Sequence, residues 1–152
     1  MEPLNPDFYL FQLPPVLKPT DKFLRRLEEF HGFTELGERF AVEGRHISWF
    51  TPEMERWCEK RNIVLVSVDA PDLPRELLAP MGVLYLRMHG RAFWYAHKYT
   101  EEELNEVAHG IVRKMPNTCH IFFNNDTDML GNAKLMMKIF VGLLKISLLK
   151  EV

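Results

Sequence analysis

The stretch NIVLVSVD, residues 62–69, decides the fold class, because both its odd-numbered and its even-numbered positions are apolar over most of its length. Successive side chains of a strand point to opposite faces, so this run is typical of a strand covered on both faces, as in a parallel sheet. Four other short runs rich in Val, Ile, Leu, Phe or Tyr bring the total to about five strands. The predicted strands are Phe8–Leu13, Arg39–Glu43, Ile63–Asp69, Val83–His89 and Thr118–Asn124.

Segments with helical spacing lie between most of these runs. The predicted helices are Thr20–His31, Thr51–Lys60, Thr100–Met115 and about Met129–Leu149. Thr100 and Glu103 match a capping box at the start of the third helix, whereas the Pro-rich segment Ala70–Met81 holds at most a short helical turn. Strands that alternate with helices predict right-handed crossovers and a parallel α/β sheet with helices outside. Two architectures fit this order of strands and helices: an open doubly wound sheet, or part of a barrel.

Length and composition predict one globular domain, residues 1–152, with 47% hydrophobic and 26% charged residues. The formal net charge of −2 gives no global attraction to nucleic acid or anionic membrane. We expect a cytoplasmic protein, because the N-terminus lacks a signal-peptide pattern and no apolar run is long enough to span a membrane. Cys58 is expected in a helix and Cys119 in the core, and their spacing predicts neither a metal site nor a cofactor.

Each predicted strand becomes polar at its C-terminal end, which is where α/β proteins bind ligands. Alternation places Arg87, His89 and Arg91 on one face of the fourth strand. This coincidence across the strands predicts a polar mouth on an otherwise apolar sheet. The polar end residues are Gln12 in the first run, Glu43, Arg45 and His46 in the second, Ser67 and Asp69 in the third, Arg87, His89, Gly90 and Arg91 in the fourth, and Asn124 and Asn125 in the fifth.

Each of these residues also has a purely structural interpretation. Arg45 and Glu43 could form an ion pair that only orients the strand. His46 could cap the following turn, Trp49 could pack over the strand end, and His89 could be a neutral core histidine.

Four segments resemble the YecE-like family, also called domain of unknown function 72. They are FYLFQLPP (8–15), VEGRHISWF (42–50), LYLRMHGR (84–91) followed by WYAHKYTEEEL (94–104), and FFNNDTDMLGNA (122–133), all in the order of the family. The resemblance covers Phe8 to about Asn132 and implies a (β/α) barrel of the triosephosphate-isomerase type. It implies no catalytic role, because the family has no assigned reaction.

The chain is shorter than a full eight-stranded barrel, which typically has about 250 residues. The resemblance therefore implies only the C-terminal portion of the barrel, without the N-terminal βα units. We expect the exposed strand edges to pair with a second copy of the chain or with a separately encoded N-terminal part. A truncated product is the alternative.

The resemblance and the strand ends together give the candidate site. Its family pattern falls on Glu43, Arg45, His46, Ser48 and Trp49, on Arg87, His89, Gly90 and Arg91, on Tyr99 and Thr100, on Asn124 and Asn125, and on Asn132 and Ala133. The candidate catalytic residues are Glu43, His46, Asp69 and His89. The candidate ligand-binding residues are Arg45, Trp49, Arg87, Gly90, Arg91, Tyr99, Asn124 and Asn125.

Three functions remain open for this site. Arg45, Arg87 and Arg91 favour an anionic small molecule, phosphorylated or carboxylated, on which a histidine performs acid–base or hydrolytic chemistry. The first alternative is a metal-assisted phosphoester hydrolase. The second is a non-catalytic module that binds nucleic acid or protein through the loop RAFWYAHKY, residues 91–99.

Overall fold

The computed structural model describes the backbone of residues 5–150 and the side chains of residues 5–143. It is an α/β fold with two three-stranded parallel sheets, ordered β1-β2-β3 and β4-β5-β6. The strands are β1 Tyr9–Gln12, β2 Phe40–Glu43, β3 Val64–Leu65, β4 Ser67–Asp69, β5 Val83–Met88 and β6 Thr118–Phe123. The helices are α1 Asp21–Thr34, α2 Pro52–Glu59, α3 Glu101–Lys114 and α4 Met129–Lys150.

The third predicted run forms two short strands instead of one. β3 pairs with β2 and β4 pairs with β5, and Val66 alone separates them. The amide of Val66 still donates to the carbonyl of Val42 at 2.9 Å. The two sheets are therefore continuous through this segment, which explains why one apolar run serves both.

The helices begin where the sequence predicts, because each of the first three has a threonine cap. The hydroxyl groups of Thr20 and Thr51 accept hydrogen bonds from amides three residues later. Thr100 and Glu103 form the predicted capping box. α1 continues three residues beyond its predicted end and stops where Glu35 adopts a left-handed conformation, with φ of 54°.

The helices pack on one face of the sheets. Leu84, Leu86 and Met88 of β5 are buried against α3 and α4. The opposite face is concave, because the ring of Phe8, just before β1, lies 5.2 Å from that of Tyr85 in β5. Residues that follow Tyr85 at even spacing therefore point into the concavity.

The two cysteines occupy different environments. Cys58 is buried in α2, and burial raises the pKa of its thiol to about 12. The prediction that Cys119 is a core residue is wrong, because its side chain is exposed on β6. β6 lies at the edge of its sheet, so an apolar run there does not ensure burial.

The connection from β4 to β5 contains no α-helix. As expected, its only helical element is a 3₁₀ turn at Pro80–Gly82. Within the part of the chain that the structure describes, no helix is long and apolar enough to cross a membrane.

Candidate functional site

Glu43, the last residue of β2, lies at the centre of the concave face. Its side chain is fully buried, with 0% exposure. One carboxylate oxygen accepts a hydrogen bond from Arg45 Nε at 2.6 Å, and the other accepts one from Arg87 Nη1. A buried carboxylate needs such partners, because its desolvation would otherwise be prohibitive.

Arg87 links Glu43 to the neighbouring strands. Its guanidinium donates to Gln12 Oε1 of β1 at 3.1 Å and to Asn124 Oδ1 after β6 at 3.2 Å. The C-terminal ends of four strands thus meet through one side chain. This convergence is the polar mouth that the strand ends predicted.

His89 follows β5 and is the least satisfied polar group of the mouth. It is fully buried, and neither ring nitrogen has a hydrogen-bond partner among the described residues. Its Nε2 lies 3.5 Å from Glu43 Oε1, which is an ion-pair distance but long for a hydrogen bond. The rings of Trp94 and Tyr95 pack on it at 5.4 and 5.3 Å between centroids. Such a group is an exception to the rule that buried polar atoms are paired.

Arg45 connects this group to solvent. Its guanidinium lies 4.7 Å from the centroid of the Trp94 ring and donates to the Tyr95 hydroxyl at 3.3 and 3.4 Å. These three side chains, with His46 and Ile47, line an open vestibule of about 620 Å³. Trp94 and Tyr95 pack on His89 and also line the vestibule, so a molecule in the vestibule reaches the His89 ring only when these side chains move.

The charges of the mouth favour an ionised Glu43 beside a neutral histidine. Burial alone would raise the pKa of Glu43, but contact with His89 and Arg87 and the charges of Arg87 and Arg45 lower it to about 2. Burial lowers the pKa of His89, against the opposing effect of Glu43. Two guanidiniums face one carboxylate, so the mouth carries one positive charge in excess. We call Glu43, Arg45, Arg87 and His89 the mouth cluster.

Asp69, Arg91 and Tyr99 form a second group, here the tyrosine cluster, away from the mouth cluster. Arg91 Nε donates to Asp69 Oδ2 at 3.1 Å, and the Tyr99 hydroxyl donates to Asp69 Oδ1 at 3.1 Å. The Tyr99 hydroxyl also accepts from the amide of Gly90 at 2.9 Å. Burial raises the pKa values of Asp69 and Tyr99. Each of the three side chains has a hydrogen-bond partner, so these contacts indicate a structural role for the cluster.

The prediction that Arg91 shares a face with Arg87 and His89 is wrong, and Gly90 is the reason. Gly90 has φ of +120°, which ends the strand alternation at His89. Arg91 then turns to the helix side, where its Nη1 donates to Glu106 at 2.6 Å. A Cβ at Gly90 would lie 2.4 Å from the carbonyl oxygen of Phe93, so the turn requires glycine.

Asn124 and Asn125, which were both predicted to bind a ligand, lie in different surroundings. Asn124 contacts Arg87, whereas Asn125 donates to the His97 carbonyl at 2.8 Å and to Asn132 Oδ1 at 2.7 Å. Asn132 in turn donates to the carbonyl of Tyr99 at 2.9 Å. These buried amides hold the loop before α3 and do not reach the mouth cluster.

His46 and Trp49 also lie outside the mouth cluster. The His46 ring caps the 3₁₀ turn Ile47–Trp49 by accepting from the Ser48 amide, although it still lines the vestibule. Trp49 is fully buried, and its Nε1 donates to the carbonyl of Leu17 at 2.8 Å. These contacts are the ones that the structural interpretation of both residues predicts.

The four candidate catalytic residues do not converge on one point. Glu43 and His89 meet, His46 lies on the vestibule wall and Asp69 belongs to the tyrosine cluster. Within the described residues, no three His, Cys, Asp or Glu side chains are grouped so that they could hold a metal ion.

Sequence reasoning left four contact residues out of the candidate site. The sequence places Gln12 at a strand end, and Trp94 and Tyr95 in an aromatic loop. Only the fold shows that Gln12 contacts Arg87 and that the two aromatic rings contact His89. Asn132 was visible in the family pattern, and its partner Tyr99 lies 33 residues away.

A family model described as "Protein of unknown function DUF72" matches residues 2–148. The chain belongs to the DUF72 family. The resemblance read from four sequence segments is thus confirmed, and the family description names no reaction. No curated protein shows significant similarity to this DUF72 chain.

Solved DUF72 structures share the fold. A DUF72 family protein of Thermotoga maritima is 27% identical, with a TM-score of 0.77 over 86% of this chain and 56% of that one. One from Enterococcus faecalis is 19% identical, with a TM-score of 0.77 over 87% of this chain and 57% of that one. The chain therefore spans less than two thirds of the length of these relatives.

Proposed function

We propose that the mouth cluster binds a small anionic molecule and that His89, oriented by Glu43, transfers a proton on it. The observation that carries this proposal is His89 itself. A fully buried imidazole with two unpartnered nitrogens costs stability, and a carboxylate 3.5 Å away is the partner that an acid–base histidine uses.

The protonation states suit a general base. With its pKa lowered by burial, His89 is neutral near neutral pH and can accept a proton from the bound molecule or from a water. Glu43 stays ionised and stabilises the imidazolium that forms. The proton then leaves to the product or to solvent, which restores the neutral ring. No nucleophile is required for this step.

The anion preference rests on charge and on Arg45. The mouth cluster has one positive charge in excess, so one negative charge completes it. Both terminal nitrogens of Arg45 donate to the Tyr95 hydroxyl, at 3.3 and 3.4 Å, and both distances are long for hydrogen bonds. A carboxylate or phosphate in the vestibule offers this planar fork a better acceptor.

The two alternatives have less support. A metal-assisted hydrolase would require Glu43, His46, Asp69 and His89 together, and only Glu43 and His89 meet. A nucleic-acid or protein-binding module would use the exposed rings of the loop, which are Phe93 at 68% and Tyr95 at 40% exposure. Two rings of this loop, Trp94 and Tyr95, pack on His89. The contacts of Trp94 favour instead a loop that closes over the mouth.

The test uses inorganic phosphate as the probe and NMR of the His89 ring as the readout. We expect saturable shifts of His89 and Tyr95, and a rise of the His89 pKa when phosphate binds, because a nearby anion favours the imidazolium. Arg45→Gln should weaken binding about tenfold or more. Arg25→Gln, which removes an exposed charge of α1, is the matched control and should bind as the wild type does. Unchanged spectra, or equal binding by Arg45→Gln, would overturn the proposal.

We also propose that residues 1–152 form a single domain that is the C-terminal portion of a TIM-type (β/α) barrel. This proposal is supported by the parallel pairing of all the strands and by the contact between the rings of Phe8 and Tyr85 across the concave face. The outer edges of β1 and β6 have no strand neighbour among the described residues. We propose that a second copy of the chain, or a separately encoded N-terminal part, pairs there. Native mass spectrometry would detect either assembly, and a stable monomer would contradict this pairing.

A further inference from the structure

A cavity of about 420 Å³ lies on the helix side of β4 and β5, away from the concave face. Its origin is the β4–β5 connection, which has no α-helix to cover the sheet. Pro71, Pro74 and Pro80 disfavour a helix there, because proline removes a backbone donor and clashes with the preceding turn. An irregular segment covers the strands instead and leaves the cavity, which we call the outer cavity.

The inner wall of the outer cavity is apolar. Leu86 of β5 and Val107 of α3 line it at 2% and 8% exposure, and Leu77 closes it from the connecting segment. Gly110 of α3 also lines it, and a Cβ there would lie 2.9 Å from Leu77 Cδ1. A larger side chain at this position would therefore enter the space between α3 and Leu77.

The rim of the outer cavity carries cations that are not all neutralised. Arg91 is paired with Asp69 and Glu106, and Lys114 is paired with Glu55 at 2.8 Å. Arg75, Arg113 and Glu76 also line the cavity, and none of the three has an ion-pair partner within 4.0 Å in the part of the chain that the structure describes. Two unpaired arginines against one unpaired carboxylate leave one positive charge in excess.

We propose that the outer cavity binds a small molecule that joins a phosphate or carboxylate group to a short apolar body. Arg75 and Arg113 hold the anionic group, and Leu77, Leu86 and Val107 receive the apolar body. The volume falls in the range of roughly 300–1,000 Å³ that small-molecule sites occupy. Seven of the twelve lining residues are charged, so the anionic group makes most of the contacts and the apolar body fills only the inner wall. This site is separate from the mouth cluster and does not depend on the function proposed above.

Ethyl phosphate and hexyl phosphate are suitable probes, with inorganic phosphate as the reference. Binding is followed by NMR through the backbone amides of Leu77 and Gly110. We expect saturable shifts at both amides and an affinity that rises about threefold to fourfold per buried methylene. Short-chain carboxylates of matched length, tested in the same way, show whether phosphate or carboxylate is preferred.

Two variants test separately how the charged rim and the apolar wall of the outer cavity contribute to binding. Arg113→Gln should weaken all phosphates about tenfold or more, because a charged hydrogen bond to the anion is lost. Gly110→Leu should remove the advantage of hexyl over ethyl phosphate, because its side chain takes the place of the alkyl chain. Arg25→Gln on α1 is the matched control and should leave all affinities unchanged.

The mouth cluster is distinguished by its own variant. Arg45→Gln should weaken the binding seen at His89 about tenfold or more and leave the shifts at Leu77 and Gly110 intact. The proposal is overturned if alkyl phosphates shift only residues of the mouth cluster, if affinity is independent of chain length, or if Gly110→Leu folds and binds hexyl phosphate as the wild type does.

Discussion

The mouth cluster and the tyrosine cluster both pair a buried carboxylate with arginine at the C-terminal ends of the strands, but they differ in how completely their groups are paired. In the tyrosine cluster, both Asp69 oxygens and the Tyr99 hydroxyl have partners at 3.1 Å or less. In the mouth cluster, Glu43 is paired but the two nitrogens of His89 are not. A polar group at a strand end can therefore be fully paired, and the unpaired ring of His89, on which the proposed function rests, is what distinguishes the mouth cluster.

Glu43→Gln should have the largest effect on stability. It keeps the shape of the side chain but leaves Arg45 and Arg87 facing each other without their carboxylate. We expect the free energy of unfolding to fall by about 3–5 kcal/mol, measured by urea denaturation.

Glu28→Gln is the control for this loss. Glu28 pairs with Arg61 at 3.0 Å, but its side chain is 48% exposed. A surface pair contributes at most about 1 kcal/mol. Equal losses in the two variants would show that burial does not make Glu43 special.

The strands and helices could be predicted to within a few residues, because apolar runs and threonine caps are local signals. The division of Ile63–Asp69 at Val66 could not, since it depends on which strand lies on each side. The burial of Cys119 was predicted wrongly, because a sequence does not show which strand is at the edge of its sheet.

The site could be predicted only in part. Glu43, Arg45, Arg87 and His89 were identified because they lie at the polar ends of apolar runs, and strand alternation places Arg87 and His89 on one face. Arg91 was assigned to the same face because the alternation was carried past Gly90, whose positive φ ends it. Contacts such as Tyr99 with Asp69 join residues 30 positions apart, and no local pattern reveals them.

Acid should destabilise the protein through Glu43 within a defined window. Its folded pKa of about 2 lies below its ordinary value of 4.5, so its stabilisation is complete above pH 4.5 and is lost as the pH falls from there toward 2. The shift corresponds to about 3 kcal/mol. The free energies of unfolding of the wild type and Glu43→Gln, measured by urea denaturation across this window, should converge as the pH falls. Parallel curves would show that Glu43 does not titrate with folding. The tyrosine cluster cannot produce this effect, because the pKa of Asp69 is raised.

Tyr99→Phe should weaken the tyrosine cluster by about 1–3 kcal/mol. The hydroxyl donates to Asp69 and accepts from the Gly90 amide, and its loss leaves two buried groups unpaired. Tyr9→Phe removes a hydroxyl from a ring that is 36% exposed, and it should change the unfolding free energy by less than about 0.5 kcal/mol. If Tyr99→Phe is as mild as this control, the tyrosine cluster is not the structural element that its pairing indicates.

His89→Leu should have the smallest effect on stability, and it tests most directly how the two clusters differ. Replacing a buried ring that has no hydrogen-bond partner by an apolar side chain removes a desolvation cost, so stability should stay within about 1 kcal/mol of the wild type or rise. His97→Leu is the matched control. His97 Nε2 lies 3.0 Å from Glu103, so this variant should lose about 1 kcal/mol. A large loss from His89→Leu would mean that the ring is a structural partner of Glu43. A stable variant whose Tyr95 amide still shifts with phosphate would mean that the fold does not need the His89 ring for packing, as the proposed acid–base role requires.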